Sequence, residues 1–199
     1  SKTGFSLARK TDQAVLDINT FECIKRVPAF GNRAVFVNGG FRPDLSRLHL
    51  LPTGLKVCST GCEPGANEDV LVQTLAKETT KHDIFTDLNT VFLKDILLVE
   101  VAENATIDCP LHIIFVGSSD DPSLLRLPRV IVKGRRNSSL KMIEEYVGTQ
   151  HDLGFTNGVT DVVLEGGSQI HHSRLQTESD EASHIGRLSV KVGRNSNFS

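Results

Sequence analysis

The chain has 199 residues, enough for one large or two small domains and a real core. Hydrophobic content of 39% and charged content of 23% are those of an ordinary globular protein and exclude wholesale disorder. The 22 basic and 24 acidic residues nearly cancel, to −2, which supplies no general attraction for nucleic acid. No apolar run approaches the ~20 residues of a membrane span, and no signal-peptide pattern opens the chain.

In chain order, Ser1 to Lys10 carries little pattern, whereas Val15, Ile18, Phe21 and Ile24 recur at roughly helical spacing and predict a weak amphipathic segment. Ala34-Val35-Phe36-Val37 reads as a strand running into Asn38-Gly39, a dipeptide suited to a tight hairpin turn. Gly54-Leu55-Lys56-Val57-Cys58 is read as its partner strand. After Pro64-Gly65, Asn67 suits a helix cap, Glu68 and Asp69 suit the positive end of the helix dipole, and Val70, Leu71, Thr74 and Leu75 share a face. A helix is expected near 67–80, and residues 1–85 are read as an α/β cap.

The second half repeats one pattern four times. A valine is followed five residues on by Asn or Gly, then by Ala or Ser, and two further on by a large apolar residue: Val99…Asn104-Ala105-Thr106-Ile107, Val132…Asn137-Ser138-Ser139-Leu140, Val162…Gly167-Ser168-Gln169-Ile170 and Val190…Asn195-Ser196-Asn197-Phe198. Successive valines lie 33, 30 and 28 residues apart, a spacing that marks stacked supersecondary units. Apolar residues alternate around each copy and β-branched types dominate, which favours strands over helical repeats. Asn and Gly tolerate left-handed backbone and Ser bonds its own backbone, so the pair between strands suits a corner. Residues 86–199 are therefore read as the first coils of a β-solenoid, each burying its inner face by stacking on its neighbours. The competing architecture is a β-sandwich, which short strands at even spacing serve equally well.

Chemistry-bearing residues are sparse. Of the four cysteines, Cys58 and Cys62 are close enough to ligate a metal together, but a structural zinc site wants a second close pair, and none is present. Reduced thiols at Cys23, Cys58, Cys62 and Cys109 fit better. If Ile170 points inward, His171 points out and His172 in, which suits one surface residue and one hydrogen-bonded core residue rather than a shared ion. His184 faces either a partner or the interior. Glu144 and Glu145 are neighbours on a strand, so a carboxylate dyad would need a second strand. Gly166-Gly167-Ser168 lacks the lysine and following helix of a phosphate-binding loop and is read as a corner.

The run Lys141-Met142-Ile143-Glu144-Glu145-Tyr146-Val147-Gly148, followed by Phe155-Thr156-Asn157-Gly158-Val159-Thr160 and Ile170-His171-His172-Ser173-Arg174-Leu175-Gln176, resembles the core of the SufB/SufD family of iron–sulfur cluster assembly proteins. Pro110-Leu111-His112-Ile113-Ile114-Phe115, Pro128-Arg129-Val130-Ile131-Val132, Ala182-Ser183-His184-Ile185 and Arg194-Asn195-Ser196-Asn197-Phe198 extend the likeness, and Phe36-Val37-Asn38-Gly39 with Leu45-Ser46 is similar to the region ahead of the β-helix in SufD-type members. The SufD branch is the better match because the N-terminal cysteine motif of the longer SufB branch is missing from this chain.

The resemblance implies a mainly β protein: a right-handed parallel β-helix preceded by a small α/β region. It implies a non-catalytic scaffold that pairs with SufB and works with the SufC ATPase, which docks on a C-terminal helical region. Residue 1 is Ser and the last repeat stops one residue after Phe198, so the chain is read as a piece whose later coils and docking region lie past Ser199. No catalytic, cofactor-binding or metal-ligating residue is assigned. His184 matches a family position without being the family's later, functionally important histidine. The fragment is expected to bind no cofactor, the assembled complex to handle an iron–sulfur cluster, and the bare β-helix end to self-associate. No nucleic-acid or membrane partner is expected, and the location implied is the cytoplasm, or the plastid stroma in a photosynthetic eukaryote. The alternative is a β-solenoid enzyme or carbohydrate-binding module, disfavoured because the chain has no Trp, a single Tyr and no Asp repeated at one coil position.

Overall fold

The computed structural model describes residues 6–7, 18–26, 31–60, 83–92 and 95–199. Two sheets face each other along a common axis. The first carries the parallel strands β5 (Ile96–Val101), β8 (Arg129–Gly134), β10 (Phe155–Leu164) and β12 (Ser183–Val192), with short β7 (Leu124–Arg126) also on β10 and β1 (Ser6–Leu7) on β7. The second carries β2 (Asn32–Val37), β6 (Thr106–Gly117), β9 (Ser139–Gly148), β11 (Gln169–Thr177) and β13 (Asn197–Phe198), again parallel. The chain alternates between them, as β5 to β6, β8 to β9, β10 to β11 and β12 to β13, so this is a parallel β-solenoid of about three turns.

The repeat is the coil. Val99, Val132, Val162 and Val190 are directly aligned across the first sheet. Ile107, Leu140, Ile170 and Phe198 are aligned across the second. Between them the chain turns at Asn104, Asn137, Gly167 and Asn195, all in the left-handed region with φ of 61°, 54°, 78° and 59°. Asn reaches that region more readily than other residues with a side chain, and Gly without penalty, which explains their place in the pattern. Gly167 has a second reason: a Cβ there would sit 2.3 Å from the Asn137 side-chain oxygen. The residue after each corner is small because it turns into the crowded bend, where the Ser168 and Ser196 hydroxyls both donate to the Glu165 carbonyl.

The hairpin predicted at Asn38-Gly39 is present: β2 pairs antiparallel with β3 (Gly40–Phe41), and both turn residues have positive φ, as a type I′ turn requires. The expected partner, β4 (Leu55–Ser59), is a strand but pairs antiparallel with β5 in the other sheet. The alternation in Leu55, Val57 and Ser59 identifies a strand but carries no information on its neighbour. β3 and β4 thus reverse direction beside β2 and β5 at the start of the two sheets. The helix expected near 67–80 lies outside the described residues.

The long β6 contains Pro110, which has no amide to donate, and the register with β9 shifts between Ile107 and Leu111 to accommodate it. Inside the coils, Leu97, Val99, Ile113, Val130, Val132, Leu140, Met142 and Ile170 form one apolar core. Full burial of each contributes on the order of 2 kcal/mol. Outside the second sheet, α1 (Ile18–Arg26) lays Ile24 on Val35, Ile114, Val116 and Val147. Outside the first sheet lies α2 (Ile84–Val91). No helix among the described residues is long and apolar enough to cross a membrane.

Candidate functional site

The core changes character along the axis. Inward positions aligned across the second sheet read Ala34, Ile113, Glu144, Arg174, and on the rung above them Phe36, Phe115, Tyr146, Gln176. Facing them, the first sheet reads Leu97, Val130, Thr160. The first layers are therefore aliphatic and aromatic, whereas the later ones bring a carboxylate, a guanidinium, a phenol and a hydroxyl together between the sheets.

Glu144 is wholly buried. Its Oε1 accepts from the Thr160 hydroxyl at 2.6 Å and the Tyr146 hydroxyl at 3.1 Å. Its Oε2 accepts from His172 Nε2 at 2.9 Å and from Arg174 Nε and Nη2 at 3.2 and 2.9 Å. Burial works against the carboxylate, but the His172 hydrogen bond, the Arg174 charge and the Thr160 hydroxyl outweigh it and hold the carboxyl at about 2. Burial, with the adjacent Glu144 charge, pushes the Tyr146 hydroxyl well above its ordinary value. The Tyr146 ring stacks on Phe115 at 4.8 Å between centroids, meets the His184 ring edge to face at 4.6 Å and lies beneath the Arg174 guanidinium.

A second cluster adjoins the first. Arg126 binds Asp152 through two parallel 2.8 Å hydrogen bonds, with both side chains buried, and its Nε donates to Thr156 Oγ1 at 3.1 Å. The Thr156 hydroxyl donates to Glu178 at 3.3 Å, and His184 Nδ1 lies 2.6 Å from the other Glu178 oxygen. Asp152, Arg126, Thr156, Glu178 and His184 thus form a hydrogen-bonded chain that ends against Tyr146. This arrangement fixes the coils to one another. Its carboxylates are taken up by cations and hydroxyls of neighbouring strands, which makes it a positioning network.

The residues singled out from the sequence fall as follows. His172 points inward to Glu144, and His171 is exposed with its Nδ1 2.6 Å from the Ser199 hydroxyl, in keeping with strand alternation. Glu144 and Glu145 face opposite sides of β9: Glu145 meets His112 Nε2 at 2.8 Å beneath the outer apolar layer. Burial lowers the His112 pKa, outweighing the hydrogen bond and charge of Glu145 that raise it. His184 is in the interior. Gly166-Gly167-Ser168 is the third corner. Cys23, Cys58 and Cys109 are all half-buried, Cys23 donating to the Gly148 carbonyl at 3.2 Å and Cys58 packing outside the first sheet beside Ile96, Leu98 and Ile131. Cys62 lies outside the described residues. Among the described residues no three His, Cys, Asp or Glu side chains converge as a metal site would require.

Sequence reasoning missed Arg174, Thr160, Arg126, Asp152 and Glu178. Arg174 carries a usable signal, since it follows His172 by two and shares its face; the others depend on inter-coil register. A buried pair beneath α2, Arg129 with Asp161, was missed for the same reason.

Comparison with known proteins places the chain in a family. Residues 3–113 match the profile described as SufBD protein N-terminal region, and residues 115–199 the profile described as SUF system FeS cluster assembly, SufBD core domain, the two meeting within β6. An iron–sulfur cluster assembly SufBD family protein of Synechocystis is 27% identical over 192 residues, covering 92% of this chain and 42% of that protein. The chloroplastic protein ABCI7 of Arabidopsis thaliana is 32% identical over 110 residues, covering 52% of this chain and 23% of that protein. The chain spans less than half the length of these relatives. With the N-terminal profile alone covering more than half of its residues, the chain belongs to the SufB/SufD family, whose members are components of iron–sulfur cluster assembly.

Proposed function

We propose that this chain is the N-terminal and early β-helix part of a SufD-type, non-catalytic scaffold subunit. In this reading it pairs with a SufB-type partner and works with a SufC-type ATPase while a cluster is built in the assembled complex. The observation that supports it is the state of Glu144: five donors from Tyr146, Thr160, His172 and Arg174 take up its two oxygens. A general acid or base needs a free lone pair or a proton near the operating pH, and a carboxyl held at about 2 has neither. A saturated interior suits a stiff framework whose work is done on its surface and by its partners. A carbohydrate-binding module would carry outward aromatic platforms, whereas the only tyrosine, Tyr146, is buried among the coils and the chain has no Trp. The setting is the cytoplasm, or the plastid stroma in a photosynthetic eukaryote, as the chloroplastic relative suggests.

The test is co-purification of the full-length protein with SufB-type and SufC-type proteins, singly and together. A stable complex containing all three is expected. A full-length protein that binds neither overturns the scaffold reading.

A further inference from the structure

The outer face of the first sheet ends, at the C-terminal ends of its strands, in a cationic corner. Glu100, Lys133, Val163 and Lys191 are aligned across that face as one outward rung. Where the strands then turn toward the second sheet, the Asn137 amide donates to the Gly166 carbonyl at 3.1 Å and the Gly167 amide to the Arg194 carbonyl at 3.0 Å. Arg136, Gly166 and Arg194 therefore take equivalent places on successive corners, with Glu103 at that place on the first. The carboxylates of Glu100 and Glu165 are both engaged by Arg135, and Glu165 also accepts from the Arg136 amide at 3.2 Å. Lys133, Arg136, Lys191 and Arg194 form no ion pair among the described residues. Lys133 is half-buried and the other three are exposed. A chain of net charge −2 thus gathers four unpaired cations at one corner. Like charges so gathered repel one another, a cost that an anionic partner removes on binding.

We propose that this corner is a docking surface for an acidic amphipathic helix of a partner protein, lying along the solenoid axis. The spacing of the cations selects a helix. Lys133 and Lys191 stand two strands apart, as do Arg136 and Arg194, a separation of about 9.6 Å at the ordinary distance between strands. Seven residues of α-helix advance about 10.5 Å and return to the same side. Acids at i and i+7 therefore meet both members of a pair, while an apolar residue at i+3 or i+4 rests on Val163 between the lysines. In an extended chain the side chains of one face recur every ~6.7 Å and match neither pair. An anionic membrane fits less well, because the rung and the corners carry none of the exposed large apolar side chains that would enter it, and Val192 beside them follows Val190 on the inner face. A nucleic acid would find no aromatic side chain on the rung or the corners to stack against. This inference stands independently of the scaffold reading.

The experiment uses the full-length protein and three labelled synthetic helices, followed by fluorescence anisotropy at low salt. One helix carries glutamates at seven-residue spacing, the second glutamines at the same positions, and the third as many glutamates at five-residue spacing, which turns them to different sides. The first is expected to bind at least about tenfold more tightly than either of the others. Lys191→Glu combined with Arg194→Glu, at exposed positions without an ion pair, is expected to weaken its binding by about tenfold. Lys141→Glu, exposed on the second sheet, is expected to leave it unchanged. A seven-spaced glutamate helix that binds no better than the glutamine or the five-spaced one overturns the proposal, as does binding that Lys141→Glu weakens as much as the double variant does. Anionic vesicles or single-stranded DNA that bind more tightly than the glutamate helix, and are released by the double variant, overturn it too by assigning the corner to another occupant.

Discussion

Replacing Glu144 with Gln preserves the shape of the side chain but removes the charge that Arg174 and His172 face, and turns an NH2 group toward donors. The carboxyl is held at about 2 in the fold against an ordinary 4.5. At about 1.4 kcal/mol for each pH unit, the carboxylate contributes about 3 kcal/mol at neutral pH. Breaking a buried pair from one side costs ~3–5 kcal/mol, and a value at the lower end is appropriate because the Arg174 side chain is 25% exposed. The sign follows from the depressed folded value: the contribution is complete above about pH 5 and is lost as pH falls through the window from 4.5 toward 2. About 2 of the ~3 kcal/mol is gone by pH 3. Urea denaturation of the parent chain and Glu144→Gln, run at steps between pH 3 and pH 7 and read by far-UV circular dichroism, measures the difference directly. The gap between them should be about 3 kcal/mol at pH 7 and shrink to about 1 kcal/mol at pH 3. A gap that stays constant with pH, or widens on acidification, refutes the assignment of Glu144 as the ionised centre of the interior.

Other consequences are open to the same denaturation assay. Asn137→Ala should destabilise by ~1–2 kcal/mol, because Ala resists the left-handed conformation and the 3.1 Å bond to the Asn104 side chain is lost; Asn137→Gly, relieved of the first cost, should lose less than Asn137→Ala. Gly158→Ala would set a methyl 2.7 Å from the Tyr146 oxygen and should cost ~1–3 kcal/mol, with Tyr146→Phe in the same chain recovering part of it. Asp152→Ala strands the Arg126 guanidinium inside the solenoid and should cost ~3–5 kcal/mol, much of which Arg126→Met in the same chain should restore if the interior charge is the cause.

Local features were legible in the sequence because local chemistry decides them. The Asn-Ser and Gly-Ser corners, the Asn38-Gly39 hairpin and the opposite facing of His171 and His172 depend on a residue and its immediate neighbours, and all appear as read. The repeat identified the solenoid over a sandwich because four valines and four large apolar residues at matched offsets stack only if each copy is one coil. What depended on pairing across the chain was not legible. β4 was matched to β2, the nearest strand, whereas it lies against β5 some forty residues away. The Glu144 network joins Thr160, sixteen residues on, with His172 and Arg174, 28 and 30 residues on, in geometry fixed only once the register of the coils is known. Glu144 itself looked like an ordinary strand acid because its partners are spread over three strands.

The central claim is that the solenoid is a framework and that cluster chemistry belongs to the complex. Anaerobic iron and sulfide analysis of the full-length protein, alone and reconstituted with SufB-type and SufC-type partners, tests it most directly. The account predicts iron and acid-labile sulfide only when the partners are present. Stable iron and sulfide on the protein alone, lost on replacing Cys58 and Cys62 with serine, would contradict it.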